Sequence, residues 1–198
     1  MSKRALETTL DQIGNRVDNR TGAVNAPVYF STAYRHTGIG ESTGYDYART
    51  GNPTREVLEN AIAELELGDR GFACSSGMAA VQTVLSLFKN GDEILASKDL
   101  YGGTYRLFEE GWNHWGLTFH YSDPRDLVEF EAAITPATKA LFIETPTNPL
   151  MQVASISELA EIAKKHQLLL IVDNTFYTPI IQQPIALGAD IVIHSASK

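Results

Sequence analysis

From residue 52 onward the apolar positions fall into alternating helical and extended patterns; before it they do not. Asn52 is placed to cap a helix whose first residue is Pro53. Val57, Leu58, Ala61, Ile62 and Leu65 then form one apolar stripe, and Gly68 is expected to close the helix. Short apolar, β-branched runs predict strands at 71–75, 93–97, 117–121, 139–144, 168–172 and 189–194. Helical patterns separate them at 77–89, 104–115, 125–133 and 157–166, with a short one at 184–187. The run Leu168-Leu169-Leu170-Ile171-Val172 would be apolar on both faces of a strand. Such strands, alternating with helices, make an α/β fold built on a doubly wound, mainly parallel sheet. Residues 1–50 are rich in Gly, Thr, Asn, Arg and Tyr and lose all period after an amphipathic stretch at 6–13, so an extended N-terminal arm is expected.

Composition narrows the function classes. With 198 residues, 43% hydrophobic and 20% charged, the chain has the profile of an ordinary soluble globular protein. Its net charge of −8 repels phosphate backbones and acidic lipid, so nucleic acid is not expected as a partner. Nor is a membrane, because no uncharged run approaches the ~18–20 residues of a span. Met1-Ser2-Lys3-Arg4-Ala5-Leu6-Glu7 has no apolar core after its basic pair, which predicts no signal peptide and a cytoplasmic location. The single cysteine, Cys74, excludes an intrachain disulfide and a thiolate metal cluster; it is expected as a buried small side chain, and no metal is expected.

In doubly wound sheets ligands sit beyond the carboxyl ends of the strands, and chemically suggestive residues collect there. Ser76-Gly77-Met78, Glu144-Thr145-Pro146-Thr147-Asn148-Pro149, Asp173 and Ser195-Ala196-Ser197-Lys198 each follow a predicted strand. A carboxylate after one strand, with two hydroxyls and an amine after another, suits pyridoxal phosphate. A lysine amine condenses with its aldehyde, a carboxylate holds its ring nitrogen protonated, and hydroxyls help bind its phosphate. The Ser75 to Ala80 turn opens a helix whose free N–H groups and positive end favour a phosphate, though an ordinary serine-capped turn reads the same way. Taken singly, a lysine or aspartate after a strand is an ordinary solvated or turn-capping residue. Ser195 to Lys198 also fits the S-x-x-K nucleophile motif, which needs an S-D-N partner that this chain lacks.

Six segments, in order, resemble one family. They are Tyr45-Asp46-Tyr47-Ala48-Arg49-Thr50-Gly51-Asn52-Pro53-Thr54-Arg55, Ser75 to Ala80, Asp99-Leu100-Tyr101-Gly102-Gly103-Thr104, Glu144 to Pro149, Val172-Asp173-Asn174-Thr175 and Ser195 to Lys198. Together they are similar to the Cys/Met-metabolism family of fold-type-I pyridoxal phosphate enzymes, which includes cystathionine γ-synthases, cystathionine lyases, methionine γ-lyases and O-acylhomoserine sulfhydrylases. The resemblance implies an aspartate-aminotransferase-like cofactor domain at 51–198, an arm at 1–50 that contacts a neighbouring subunit, and a C-terminal domain absent from this chain.

The resemblance also implies roles. Lys198 would bind the cofactor covalently and shuttle protons, Asp173 would pair with the ring nitrogen, and Tyr101 would stack on the ring and assist proton transfer. Gly77, Met78, Ser195 and Ser197 would hold the phosphate, Asn148 would contact the ring O3′ oxygen, and Thr175 would pack near the ring. Tyr47 and Arg49 would reach the phosphate of a neighbouring subunit, a pairing of phenol and guanidinium that suits a dianion. A homo-oligomer follows, at least a dimer and by resemblance a tetramer. Gly103 stands where methionine γ-lyases carry Cys, and Asp46 resembles γ-synthases more than γ-lyases. Asp46 and Arg106 are therefore candidate substrate contacts. The reading is γ-replacement on an O-acylhomoserine, with cysteine giving cystathionine or sulfide giving homocysteine. Elimination of cystathionine by a γ- or β-lyase is the nearest alternative, and a non-catalytic α/β binding protein is an alternative of another class.

Overall fold

A computed structural model describes residues 5–15 and 18–198. The Lys3-Arg4 pair behind the leader reading therefore lies outside the described residues. The chain divides into two compact units, one ending at Ala73 and one running from Cys74 to Lys198.

In the first unit, α1 spans Leu6–Gln12 and α2 spans Pro53–Glu66. Asn52 caps α2, its side-chain oxygen accepting from the Thr54 and Arg55 N–H groups at 2.9 and 3.3 Å, and Pro53 opens the helix as expected. Gly68 does not supply the left-handed cap; Leu67 does, at φ 59°, while the Gly68 N–H closes onto the Ala63 carbonyl at 2.9 Å. Between the two helices the described residues form turns and isolated bridges such as Ala33 with Tyr47. The strand expected at 71–75 is absent. A Cβ on Gly71 would lie 2.2 Å from the Glu59 carbonyl oxygen, and the Ala73 N–H bonds the Glu59 side chain at 3.0 Å, so this segment is tied to α2 by contacts that replace a ladder.

The second unit is a parallel sheet of five strands: β1 Glu93–Ser97, β2 Thr118–Ser122, β3 Thr138–Glu144, β4 Leu169–Asp173 and β5 Ile191–Ile193. Their order is β2-β1-β3-β4-β5, so chain direction across the sheet reverses between β1 and β3. That reversal point is where doubly wound sheets open a ligand crevice. Side chains alternate as a pleat requires. Ile94, Ala96, Ala140, Phe142 and Ile171 face one layer with Val81 and Leu85 of α3 (Gly77–Leu85) and with Phe108. Leu95, Leu141, Ile143, Leu170 and Val172 face the other, with Phe130 of α5 (Leu127–Ala132) and Ile156, Leu159 and Ile162 of α6 (Ile156–His166). Helices on both faces explain why these strands carry continuous apolar runs.

The helix expected at 104–115 is three segments. α4 spans Gly102–Arg106, a π turn covers Leu107–Gly111, and a 3-10 turn covers Trp112–Trp115. Phe108 within the π turn is fully buried, stacked on Phe119 at 4.2 Å and edge-on to Phe142 at 5.2 Å, so aromatic packing rather than an unbroken ladder sets this stretch. A four-residue helix, α7 (Thr178–Ile181), was not legible as a periodic pattern. Cys74 is exposed rather than buried, its Sγ lying 3.8 Å from the Thr83 hydroxyl. Among the described residues no helix is long and apolar enough to cross a membrane.

Candidate functional site

The strand ends bring two carboxyl groups side by side. Glu144 and Asp173 are the last residues of β3 and β4 and are register partners. Asp173 accepts a hydrogen bond from the Thr175 N–H at 3.0 Å, and the Thr175 hydroxyl donates to the same carboxyl. Burial nevertheless raises the Asp173 carboxyl above its ordinary value, outweighing those donors. Glu144 is 6% exposed, and burial, with Asp173 and Asp99 nearby, pushes its carboxyl up to about 8. Two adjacent carboxyls in poorly solvated surroundings disfavour a second negative charge, so these strand ends favour a cation.

The Ser195 end is joined to these strand ends. The Ser195 N–H donates to the Thr175 hydroxyl oxygen at 2.9 Å, so Thr175 links the ends of β4 and β5. This gives Thr175 a more definite place than ring packing. The Ser195 and Ser197 hydroxyls lie 3.1 Å apart, and the Lys198 N–H donates to the Ser195 carbonyl at 3.3 Å. Lys198 itself is exposed. Against Ser195 lies the start of α3, where Ser76 spends its hydroxyl oxygen on the Ala79 N–H at 3.1 Å. A Cβ on Gly77 would stand 2.7 Å from the Ser195 Cβ and 3.2 Å from its Cα. The close approach of helix start to serine therefore requires glycine. The sheet edge thus unites Gly77, Ser195, Ser197, Thr175 and Asp173, with Met78 in the same first helical turn.

Tyr101 follows β1 and is exposed. Its N–H donates to the Glu144 Oε2 at 2.7 Å, and its ring lies over Gly103, where a Cβ would be 2.5 Å from the ring Cε1. Arg106, at the end of α4, is exposed and turns its guanidinium back toward Gly102. Asn148 follows β3, and its main-chain N–H donates to the Glu144 carboxyl. Sequence reasoning passed over Glu144 as a site residue, and also Asp99, which accepts from the Thr147 hydroxyl and from the Leu150 N–H at 3.2 Å. It also missed Gln182, whose amide donates to the Thr145 carbonyl at 3.1 Å and the Asn174 side chain at 2.9 Å. A carboxylate ending the apolar run Ala140-Leu141-Phe142-Ile143-Glu144 was the available signal for the first.

The first unit holds the remaining candidates. The Arg49 guanidinium lies 5.0 Å from the Tyr47 ring centroid, and Arg55 grips their loop through the Ala48, Arg49 and Thr50 carbonyls at 3.4, 3.4 and 3.2 Å. Asp46 accepts from the Ser42 hydroxyl at 2.8 Å and pairs with His36 at 2.7 Å, which together hold its carboxyl below the ordinary value.

Comparison with known proteins follows the same lines. Residues 7–198 match the model of the family described as Cys/Met metabolism PLP-dependent enzymes. The chain is 66% identical over 193 residues to a cystathionine γ-synthase/O-acetylhomoserine (thiol)-lyase of Bacillus subtilis, covering 98% of this chain and 52% of that one. It is 58% identical to a cystathionine γ-synthase of Haemophilus influenzae, covering 98% and 53%, and 51% identical to a cystathionine γ-lyase of Bacillus subtilis, covering 91% and 48%. A crystal structure of cystathionine γ-lyase from Lactobacillus plantarum complexed with L-serine superposes with a TM-score of 0.95 at 50% identity, over 98% of this chain and 51% of that one. The chain therefore spans about half the length of these relatives. A doubly wound parallel sheet, five ordered motifs at its carboxyl edge and a family match over residues 7–198 place this chain in the Cys/Met metabolism family of pyridoxal-phosphate-dependent enzymes.

Proposed function

We propose that the carboxyl edge of the sheet holds pyridoxal phosphate and that the whole protein catalyses γ-replacement on an O-acylhomoserine, taking cysteine to cystathionine or sulfide to homocysteine. The observation that carries the cofactor site is the chain of contacts from Asp173 through Thr175 to Ser195 and on to Gly77. The residues fit the group at both ends. A protonated ring nitrogen beside Asp173 would supply a positive charge to the buried carboxyl pair, and the first N–H groups of α3 with the two serine hydroxyls suit a phosphate.

When bound, the cofactor supplies an aldehyde carbon and a ring that withdraws electrons from the substrate. Asp173 keeps the ring nitrogen protonated, Tyr101 covers the ring face, and Asn148 holds the O3′ oxygen. The Lys198 amine anchors the group and then moves protons between substrate carbons. Gly77 and Met78 N–H groups, Ser195 and Ser197 bind the phosphate, and Tyr47 and Arg49 of the arm at 1–50 complete that site in a neighbouring subunit. The working form is then at least a dimer, proposed as a tetramer in the cytoplasm. Arg106 and Asp46 orient the substrate acyl group and the incoming nucleophile. Support for replacement over elimination comes from the two relatives of highest quoted identity, both named γ-synthases. Elimination of cystathionine uses the same edge, and relatives at 51 and 48% identity are named lyases.

Gly77→Ala tests the site directly. The added Cβ meets the Ser195 backbone as well as its side chain, so no rotation relieves it and the helix start must move away. Losing one charge-assisted hydrogen bond to the phosphate should weaken pyridoxal phosphate binding by about 10–100-fold. Titration of the cofactor-stripped full-length protein, followed by cofactor absorbance, measures this. Wild-type affinity in the variant would show that the phosphate lies elsewhere.

A further inference from the structure

We infer that Glu144 is a positioning residue, which sets the ring-covering Tyr101 and the Asn148 contact by joining their two loops at one carboxyl; the inference rests on the cofactor reading above. The loop after β1 and the loop after β3 flank the point where the sheet reverses order. Glu144 bridges them. Its Oε2 accepts from the Tyr101 N–H at 2.7 Å, its carboxyl also accepts from the Asn148 main chain, and its own N–H donates to the Ser97 hydroxyl at 3.3 Å. Its strand neighbour in register is Asp173. The three groups assigned to the cofactor ring are thus each one link from Glu144: Tyr101 at the face, Asn148 at the O3′ oxygen and Asp173 at the nitrogen.

Stability alone does not account for an acid here. Burial beside Asp173 and Asp99 penalises the charged form, and an apolar side chain of similar size would carry no such penalty. What the acid provides is one carboxyl that accepts from both loops, at Oε2 from the Tyr101 N–H and also from the Asn148 main chain. Tyr101 needs such a hold, because the residue is 44% exposed and its ring rests on Gly103, which offers no side chain to grip it. With its N–H fixed, the backbone that carries the ring keeps one place beside the end of β3.

The test uses full-length protein loaded with pyridoxal phosphate and two readouts, the rate of cofactor release and the visible circular dichroism of the bound cofactor. Glu144→Leu, which removes both acceptors, should speed release by about tenfold or more and diminish the dichroism. Glu144→Gln keeps the shape and one acceptor, so it should lie between, about fivefold faster than wild type. Tyr101→Ala should speed release too. The double variant Glu144→Leu/Tyr101→Ala should release no faster than about the faster single variant, because both changes remove the same placement. Should Glu144→Leu fail to fold, the isosteric glutamine variant decides alone. Release at the wild-type rate in Glu144→Gln, or single effects that multiply in the double variant, would overturn the assignment. A wild-type protein that takes up no cofactor would instead sink the cofactor reading itself.

Discussion

Lys198→Ala in the full-length protein is expected to abolish turnover while leaving the sheet intact. Lys198 is exposed beyond β5, and its main-chain N–H, which the substitution retains, makes its bond to the Ser195 carbonyl. Among the described residues no core contact uses the side chain, so the cofactor-free variant's stability should change by less than ~0.5 kcal/mol. The chemical loss is large because one amine both anchors the cofactor and carries protons. The proton transfers alone are worth about 10²–10⁴-fold. Steady-state assays with an O-acylhomoserine and cysteine check this, and turnover within tenfold of wild type would remove Lys198 from the mechanism. The phosphate contacts survive, so cofactor should still bind without a covalent link.

Asp173→Asn should separate stability from activity. The carboxyl is raised by burial, so the folded, cofactor-free protein binds a proton more readily there than the unfolded chain does. Stability from this group is then full below the ordinary carboxyl range, about pH 4, and is lost as pH rises toward the folded value. The amide carries no such penalty and can still accept from Thr175. At pH 8 the cofactor-free variant should therefore melt no lower than wild type, whereas below pH 4 the advantage disappears. Activity should move the other way. A neutral amide cannot hold the ring nitrogen protonated, so turnover should fall by about 10²-fold or more while cofactor affinity falls about tenfold. Calorimetry across pH and steady-state assays supply both halves. A variant that turns over normally would make Asp173 a turn residue only.

The strands of the second unit were legible because burial on both faces writes itself as an unbroken apolar run; 93–97 matched β1, and the other four lay within a residue or two. Residues 71–75 have a similar look but are bound by Glu59, a contact that depends on tertiary position and leaves no local pattern. The π turn escaped for a related reason, since its aromatic packing on Phe119 and Phe142 joins residues distant in sequence. At the sheet edge, residues carrying distinctive chemistry follow the strand ends as their place in the sequence implied: Asp173 ends β4, and Ser195 and Lys198 lie beyond β5. Glu144, Asp99 and Gln182 act on neighbouring main chain. Only the assembled loops show what they hold.

The most direct test of the central claim is reduction of the cofactor-loaded protein with borohydride, followed by proteolysis and mass spectrometry. One modified peptide is expected, carrying the reduced pyridoxal phosphate mass on Lys198. The same mass on another lysine, or on none, would contradict the placement of the cofactor at this sheet edge.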